Sequence, residues 1–290
     1  MKFGTGQSVR RTEDIRFVTG HGQYTDDLHF PNETQVVFAR SPHAHAKIKS
    51  SDASAAKAAP GVIAVLTIAD LEAAGAKPMA TKTPVKARDG SFPKGVAKSF
   101  LAKDQVTFVG EAVAMVIAET LAQARDAAEM IEIDYETLDA VGTLEAAPKG
   151  AQIWSEVPNN ECLDWADGKE DETAAAFAKA AYTASVDMVQ NRIVVNSMET
   201  RNAIGVYDKA GDNFTLYSGN QGSGGLRANI AGCLGIPPDK LRVVSSDVGG
   251  GFGMKAGFYP EQGAVLIASK ITGRPARWPA DRTEAFLARS

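Results

Sequence analysis

The chain has 290 residues, 44% of them hydrophobic, enough for a large core and for two domains. A net charge of −4 and an isoelectric point near 5.7 argue against nucleic-acid binding, which calls for a basic face. No apolar run approaches the ~18 residues of a membrane span.

Residues 4–27 are polar and Gly-rich, with Arg10, Arg11, Asp14, Arg16 and Asp26 but no hydrophobic period. They predict an extended arm lying on a surface. No apolar stretch follows Arg10-Arg11, so no export signal is read and a cytoplasmic chain is expected. Cys162 and Cys233 are then expected as buried thiols rather than a disulfide. Residues 34–40 alternate as a strand. His43 and His45 follow, an H-x-H pair that would share one strand face and could ligate a metal. No third ligand is near, so a turn with local hydrogen bonds is the preferred reading. Residues 51–59 predict a short helix stopped by Pro60-Gly61, 62–66 a strand and 68–73 a second short helix. Residues 75–100 form a basic loop carrying Lys77, Lys82, Lys86, Arg88, Lys94 and Lys98. Strands at 106–108 and 112–118, a helix at 121–130 and a strand at 131–135 make a β-α-β pattern, with Leu121, Ala124 and Ala128 on one helical face. Residues 138–148 run out as a connector.

Asp167 to Glu172 is an acidic helix start, and 173–180 is the helix it opens. Strands are predicted at 181–189 and 194–197, then at 202–207 and 214–218 across a hairpin turn at 208–211. A helix follows at 261–270, and a strand begins at 276. Between the strand at 214–218 and that helix, residues 218–255 carry two Gly-rich loops about thirty residues apart, each directly after a strand pattern. Gly222-x-Gly224 begins a dinucleotide fingerprint, with Asp247 placed to meet a ribose, but Arg227 stands where the third Gly belongs. Gly253-Met254-Lys255-Ala256 lacks the hydroxyl a P-loop uses. Backbone in such loops can seat anions or oxo groups, or the glycines can serve tight turns alone. Spacing by itself leaves these readings open.

The residues around the glycines narrow the choice. Asn220-Gln221 before the first loop, Leu234-Gly235-Ile236-Pro237 closing the helix, and Asp247-Val248-Gly249-Gly250-Gly251-Phe252-Gly253-Met254-Lys255 resemble the molybdenum hydroxylases. The closer likeness is to the large subunit of the aerobic carbon monoxide dehydrogenase-like branch of the xanthine oxidase family. Gly6-Gln7-Ser8-Val9-Arg10-Arg11, Arg40-Ser41-Pro42-His43-Ala44-His45-Ala46, Phe108-Val109-Gly110-Glu111-Ala112, Met198-Glu199-Thr200-Arg201 and Asp281-Arg282-Thr283-Glu284 match in order. Thr200 departs from the family's usual proline. The resemblance implies an α+β chain: an arm at 1–20, an α/β hammerhead domain at 21–147, and the first part of a molybdopterin-binding domain at 148–290.

It also implies roles. Gln221 would hydrogen-bond an oxo ligand of molybdenum, an amide donor that adds no charge. Gly222, Gly224 and Gly225 would let backbone approach the pterin. Gly250, Gly251, Phe252 and Gly253 would form the second contact, with the Phe252 ring excluding water near the metal. Gln221 and Phe252 are the candidate catalytic residues, and no direct metal ligand is assigned. Ala256 stands where purine-acting relatives carry a substrate-binding Glu. Glu199 and Glu261 are weak candidates for a general base, Glu199 being expected rather to pair with an Arg or cap a turn. The family's own base lies beyond Ser290 by this reading. The implied cofactor is molybdopterin, in its cytosine dinucleotide form, with molybdenum. The [2Fe-2S] and FAD groups would sit on partner subunits, since no Cys-rich motif occurs here. The implied reaction is oxidation of carbon monoxide, an aldehyde or a heterocycle with water-derived oxygen. The alternatives are an inert scaffold that binds a partner chain, or one half of a split large subunit.

Overall fold

The computed structural model describes residues 4–79, 84–191 and 193–287; Lys82 and Ser290 lie outside them. The elements in chain order are α1 (Asp14–Val18), β1 (Thr34–Arg40), β2 (Ala46–Asp52), α2 (Ser54–Ala58), β3 (Val62–Leu66), α3 (Ile68–Ala73), β4 (Gln105–Val106), β5 (Ala112–Ala118), α4 (Leu121–Glu129), β6 (Glu132–Thr137), α5 (Glu170–Lys179), β7 (Asn202–Asp208), β8 (Asn213–Tyr217), α6 (Ser223–Leu234), β9 (Leu241–Val244), α7 (Pro260–Thr272), β10 (Ala276–Pro279) and α8 (Arg282–Leu287).

A seven-stranded mixed sheet runs β3-β5-β1-β10-β7-β8-β9, and a three-stranded sheet runs β4-β2-β6. The fold is α+β, as expected. β5 is buried at every position, so its Ala/Val/Ile run reads as a central strand covered on both faces. α7 is buried from Glu261 to Ser269. It packs with β5, β7, β8 and β10 side chains around Trp278, Leu266, Ala203, Leu216 and Met115 in the main core. β1 pairs in parallel with β10, Thr34 opposite Ala276. The large sheet therefore takes strands from both ends of the chain.

Several expectations need correcting. Residues 51–59 do not form one helix. Ser51 and Asp52 finish β2, which pairs with β6, and α2 begins only at Ser54. The largely polar run 46–52 hides this strand because only Ala46 and Ile48 face the covered side of its small sheet. Residues 181–189 and 194–197 are not strands: they have no regular structure, and 181–191 are exposed throughout. Their alternation suits a strand, but no sheet edge meets them, and a strand needs a partner for its N–H and C=O groups. The arm is not wholly extended, since it contains α1 and a 3-10 turn at Thr25–Asp27. Cys233 is buried but Cys162 is exposed.

His43 and His45 are used locally. The His45 ring nitrogen Nδ1 lies 2.7 Å from Asp139 O. His43 N–H donates to Ser41 Oγ and its ring meets Tyr135 edge-on.

Candidate functional site

The two Gly-rich loops are brought together by strand pairing. β8 and β9 are adjacent and parallel, Phe214 opposite Leu241 and Tyr217 opposite Val244. Helix α6 is the crossover between them. Two parallel strands in register end at the same height, so the loops after Tyr217 and after Val244 emerge side by side, the arrangement that places ligands at strand C-termini in α/β sheets. Ser218 N–H continues the ladder to Val244 O at 3.1 Å.

In the first loop, Asn220 organises the entry to α6. Its Oδ1 accepts from Gly222 N–H at 2.9 Å and from the Ser223 hydroxyl at 3.1 Å. Its Nδ2 donates to Ser218 O. The first intrahelical bond is Leu226 N–H to Gly222 O, 3.0 Å. The N–H groups of Ser223, Gly224 and Gly225 precede it and point out of the helix start, where the dipole favours negative charge.

Gln221 joins the two loops. Its Oε1 accepts from Gly253 N–H at 3.0 Å and from Lys255 N–H at 3.2 Å. Its own N–H donates to Lys255 O at 3.0 Å. Two backbone donors at one end fix which end of the carboxamide is oxygen. Nε2 is turned away from them and has no protein partner among the described residues. It is a neutral donor on an exposed face.

The second loop turns through Gly250 (φ 97), Phe252 (φ 49) and Gly253 (φ 86). A left-handed Phe is a strained conformation that costs on the order of 1–2 kcal/mol, and the residue is 76% exposed. The ring lies over Gly250, where a Cβ would be 2.8 Å from it.

The glycines divide into two groups by what a Cβ would meet. At Gly251 it would lie 2.5 Å from Gln221 Oε1, and at Gly249 2.5 Å from Glu199 Cβ. Those two glycines, like Gly250, make room for the protein itself. At Gly222, Gly224, Gly225 and Gly253 nothing lies within 4 Å. Those four leave backbone bare toward open space.

Two side chains given other parts by the sequence are accounted for. Asp247 is not free to meet a ribose. Its carboxylate accepts from Gln23 N–H at 2.7 Å and pairs with Arg16, and its N–H donates to Gln23 O. The hydrogen bond from Arg16 holds its carboxyl below the usual Asp range. The arm is thus tied to the root of the second loop. Glu261 is 3% exposed and paired with Arg40 at 2.7 Å, which also pairs with Glu284. Burial pushes the Glu284 carboxyl up, with Glu261 adding to the effect and Arg40 opposing it.

Glu199 pairs with Lys255, not with an arginine, at 2.6 Å, with side chains 9% and 2% exposed. Arg201 instead lies over the Tyr259 ring. Lys255 carries no signal in sequence beyond ending the second motif, and its partner is 56 residues away.

Residues 153–290 match the family described as molybdopterin cofactor-binding domain. Residues 19–139 match the aldehyde oxidase and xanthine dehydrogenase a/b hammerhead domain. The chain is 35% identical to the carbon monoxide dehydrogenase large chain of Afipia carboxidovorans, over 97% of this chain and 35% of that one. It is also 35% identical to the nicotine 6-hydroxylase large subunit of Paenarthrobacter nicotinovorans, over 98% and 34%. The crystal structure of quinoline 2-oxidoreductase from Pseudomonas putida 86 superposes with a TM-score of 0.90 at 35% identity, covering 98% of this chain and 36% of that one. The chain spans about a third of the length of the curated relatives it matches.

Proposed function

The chain belongs to the xanthine oxidase, or molybdenum hydroxylase, family, and from that premise we infer that it is the molybdenum-cofactor-binding part of an oxidoreductase large subunit. The observation that carries this reading is the meeting of the Gln221 carboxamide with the turn at 250–253, beside the open start of α6. The residues suit such a group. Bare backbone at Gly222, Gly224, Gly225 and Gly253 permits close approach by a flat, polar ligand. The unused N–H groups at the start of α6 favour an anionic one.

When bound, the cofactor supplies two-electron redox chemistry in which water-derived oxygen enters the substrate. Gln221 holds a neutral N–H donor toward an acceptor oxygen of the cofactor, its other end anchored so that the donor cannot rotate away. The backbone at 250, 251 and 253 fixes the second contact. Phe252, held in its strained turn, presents an apolar face that excludes water and orients a small substrate. Carbon monoxide, an aldehyde and a heterocycle all suit that class.

The remaining assignments rest on the same reading. The cofactor is the cytosine dinucleotide form. Electrons leave through [2Fe-2S] and FAD groups on partner subunits. Turnover requires those partners and the further polypeptide that the relatives carry. The division is an arm at 1–20, a hammerhead domain at 21–147 and molybdopterin-binding residues from 148 onward, in a cytoplasmic complex. No helix among the described residues is long and apolar enough to cross a membrane.

The test is molybdenum and pterin analysis of the chain purified with its co-purifying partners. About one molybdenum and one pterin per chain is expected. Their absence from the assembled complex would overturn the reading.

A further inference from the structure

We propose that Glu199 is a positioning residue, acting through Lys255, that sets the geometry of both Gly-rich loops and of Gln221. The proposal rests on the functional reading above for its consequence, but its structural part stands on bonds internal to the protein.

One carboxylate oxygen closes the second loop. Glu199 Oε2 accepts from Gly249 N–H at 2.9 Å and from Lys255 Nζ at 2.6 Å. Gly249 and Lys255 are the two ends of the turn that contains 250–254. Glu199 N–H also donates to Gly249 O at 3.1 Å, so the Gly249 residue is held on both its polar groups. Oε1 accepts from Asn202 Nδ2 at 3.3 Å, which ties the carboxylate back to the first residue of β7.

From Lys255 the hold passes to Gln221. Lys255 N–H donates to Gln221 Oε1, and Lys255 O accepts from Gln221 N–H. A shift of Lys255 therefore moves the carboxamide and the backbone of Gln221 together. The first loop is reached directly as well. A Cβ at Gly219 would lie 3.0 Å from Glu199 Oε2, and one at Gly249 would overlap Glu199 Cβ. These two glycines are vacated for Glu199, not for a ligand. The pair is nearly dry, where charge-assisted hydrogen bonds are strong and directional and a lone charge is poorly tolerated. Such a supporting residue typically changes a site's affinity or rate by about 10–100-fold when altered.

The experiment compares the assembled complex carrying wild-type chain, Glu199→Gln, Glu199→Asp and, as a surface ion-pair control, Glu119→Gln, whose half-exposed carboxylate pairs with Arg274 at 2.7 Å away from both loops. Four quantities are read: hydrogen exchange of the 249–255 amides, melting temperature, molybdenum content, and the Mo(V) paramagnetic resonance spectrum of the partly reduced enzyme. Glu199→Gln is expected to speed exchange of the loop amides at least about tenfold, to alter the Mo(V) spectrum and to lower kcat by about 10–100-fold with KM little changed. Glu199→Asp, which keeps the charge on a shorter stem, is expected to fall between it and wild type. Glu119→Gln is expected to match wild type throughout. Unchanged loop exchange and an unchanged Mo(V) spectrum in Glu199→Gln would overturn the proposal and leave the functional reading standing. A wild-type complex without molybdenum would overturn the functional reading, and the exchange comparison would still decide the role of Glu199. Should Glu199→Gln not fold, the same comparison is made on Glu199→Asp, where wild-type exchange would overturn the proposal.

Discussion

Gly224 and Gly249 are both glycines beside the same site, and the structure gives them opposite duties. A Cβ at Gly224 meets nothing, whereas one at Gly249 meets Glu199. Gly224→Ala is therefore expected to keep or raise stability, by up to about 1 kcal/mol because Ala suits a helix better, while lowering molybdenum content of the complex. Gly249→Ala is expected to cost about 1–3 kcal/mol by overpacking. Urea denaturation beside metal analysis separates the two. Phe252 gives a further prediction. Asn tolerates the left-handed conformation better than Phe, so Phe252→Asn is expected to leave the melting temperature unchanged or higher and to reduce turnover. A large fall in stability would show instead that the exposed ring holds the fold.

The part of the site legible in sequence is the part that is local. Gln221 and Phe252 stand inside runs whose glycines mark unusual backbone, and their neighbours carry the family resemblance. Glu199 and Lys255 were not legible as a pair, because an ion pair across 56 residues leaves no periodic or spacing signal.

At the scale of elements, the arm and the second loop form one unit through Asp247. Its carboxyl titrates below the unfolded value because Arg16 and Gln23 N–H favour the charged form. Its contribution to pinning the arm is thus fully present above the ordinary Asp range, about pH 4, and is lost as pH falls through the lowered folded value. Hydrogen exchange of residues 14–27 is expected to be flat from neutral pH down to about pH 4 and to quicken below it, after correction for intrinsic rates. Asp247→Asn is expected to quicken it at all pH values and abolish the acid step. An unchanged arm in Asp247→Asn would contradict the coupling. The sequence showed the strands with an alternating or continuous apolar pattern, such as β1 and β5. It misassigned residues 51–52, 181–189 and 194–197, since pattern reports what a segment could pair with, not whether an edge is available.

At the scale of the whole molecule, β10 lies between β1 and β7, so strands from the first and second halves of the chain share one sheet and one core. Heat unfolding is expected to be a single transition. In a chain with Trp154→Phe and Trp165→Phe, the fluorescence of buried Trp278 and the far-ultraviolet circular dichroism should coincide. Two separated transitions would show independent halves. No sequence feature announced the pairing of β1 with β10, because a parallel contact between residues 34 and 276 depends on everything folded between them.

The Gln221 carboxamide and the turn at 250–253 are expected to face one bound molybdenum cofactor. Anomalous diffraction at the molybdenum edge, on crystals of the assembled complex, tests this most directly. The predicted result is a single strong peak on the open side of Gln221 Nε2, with pterin density against Gly222, Gly224 and Gly225. A molybdenum peak remote from Gln221, with the loops facing only protein or solvent, would contradict it.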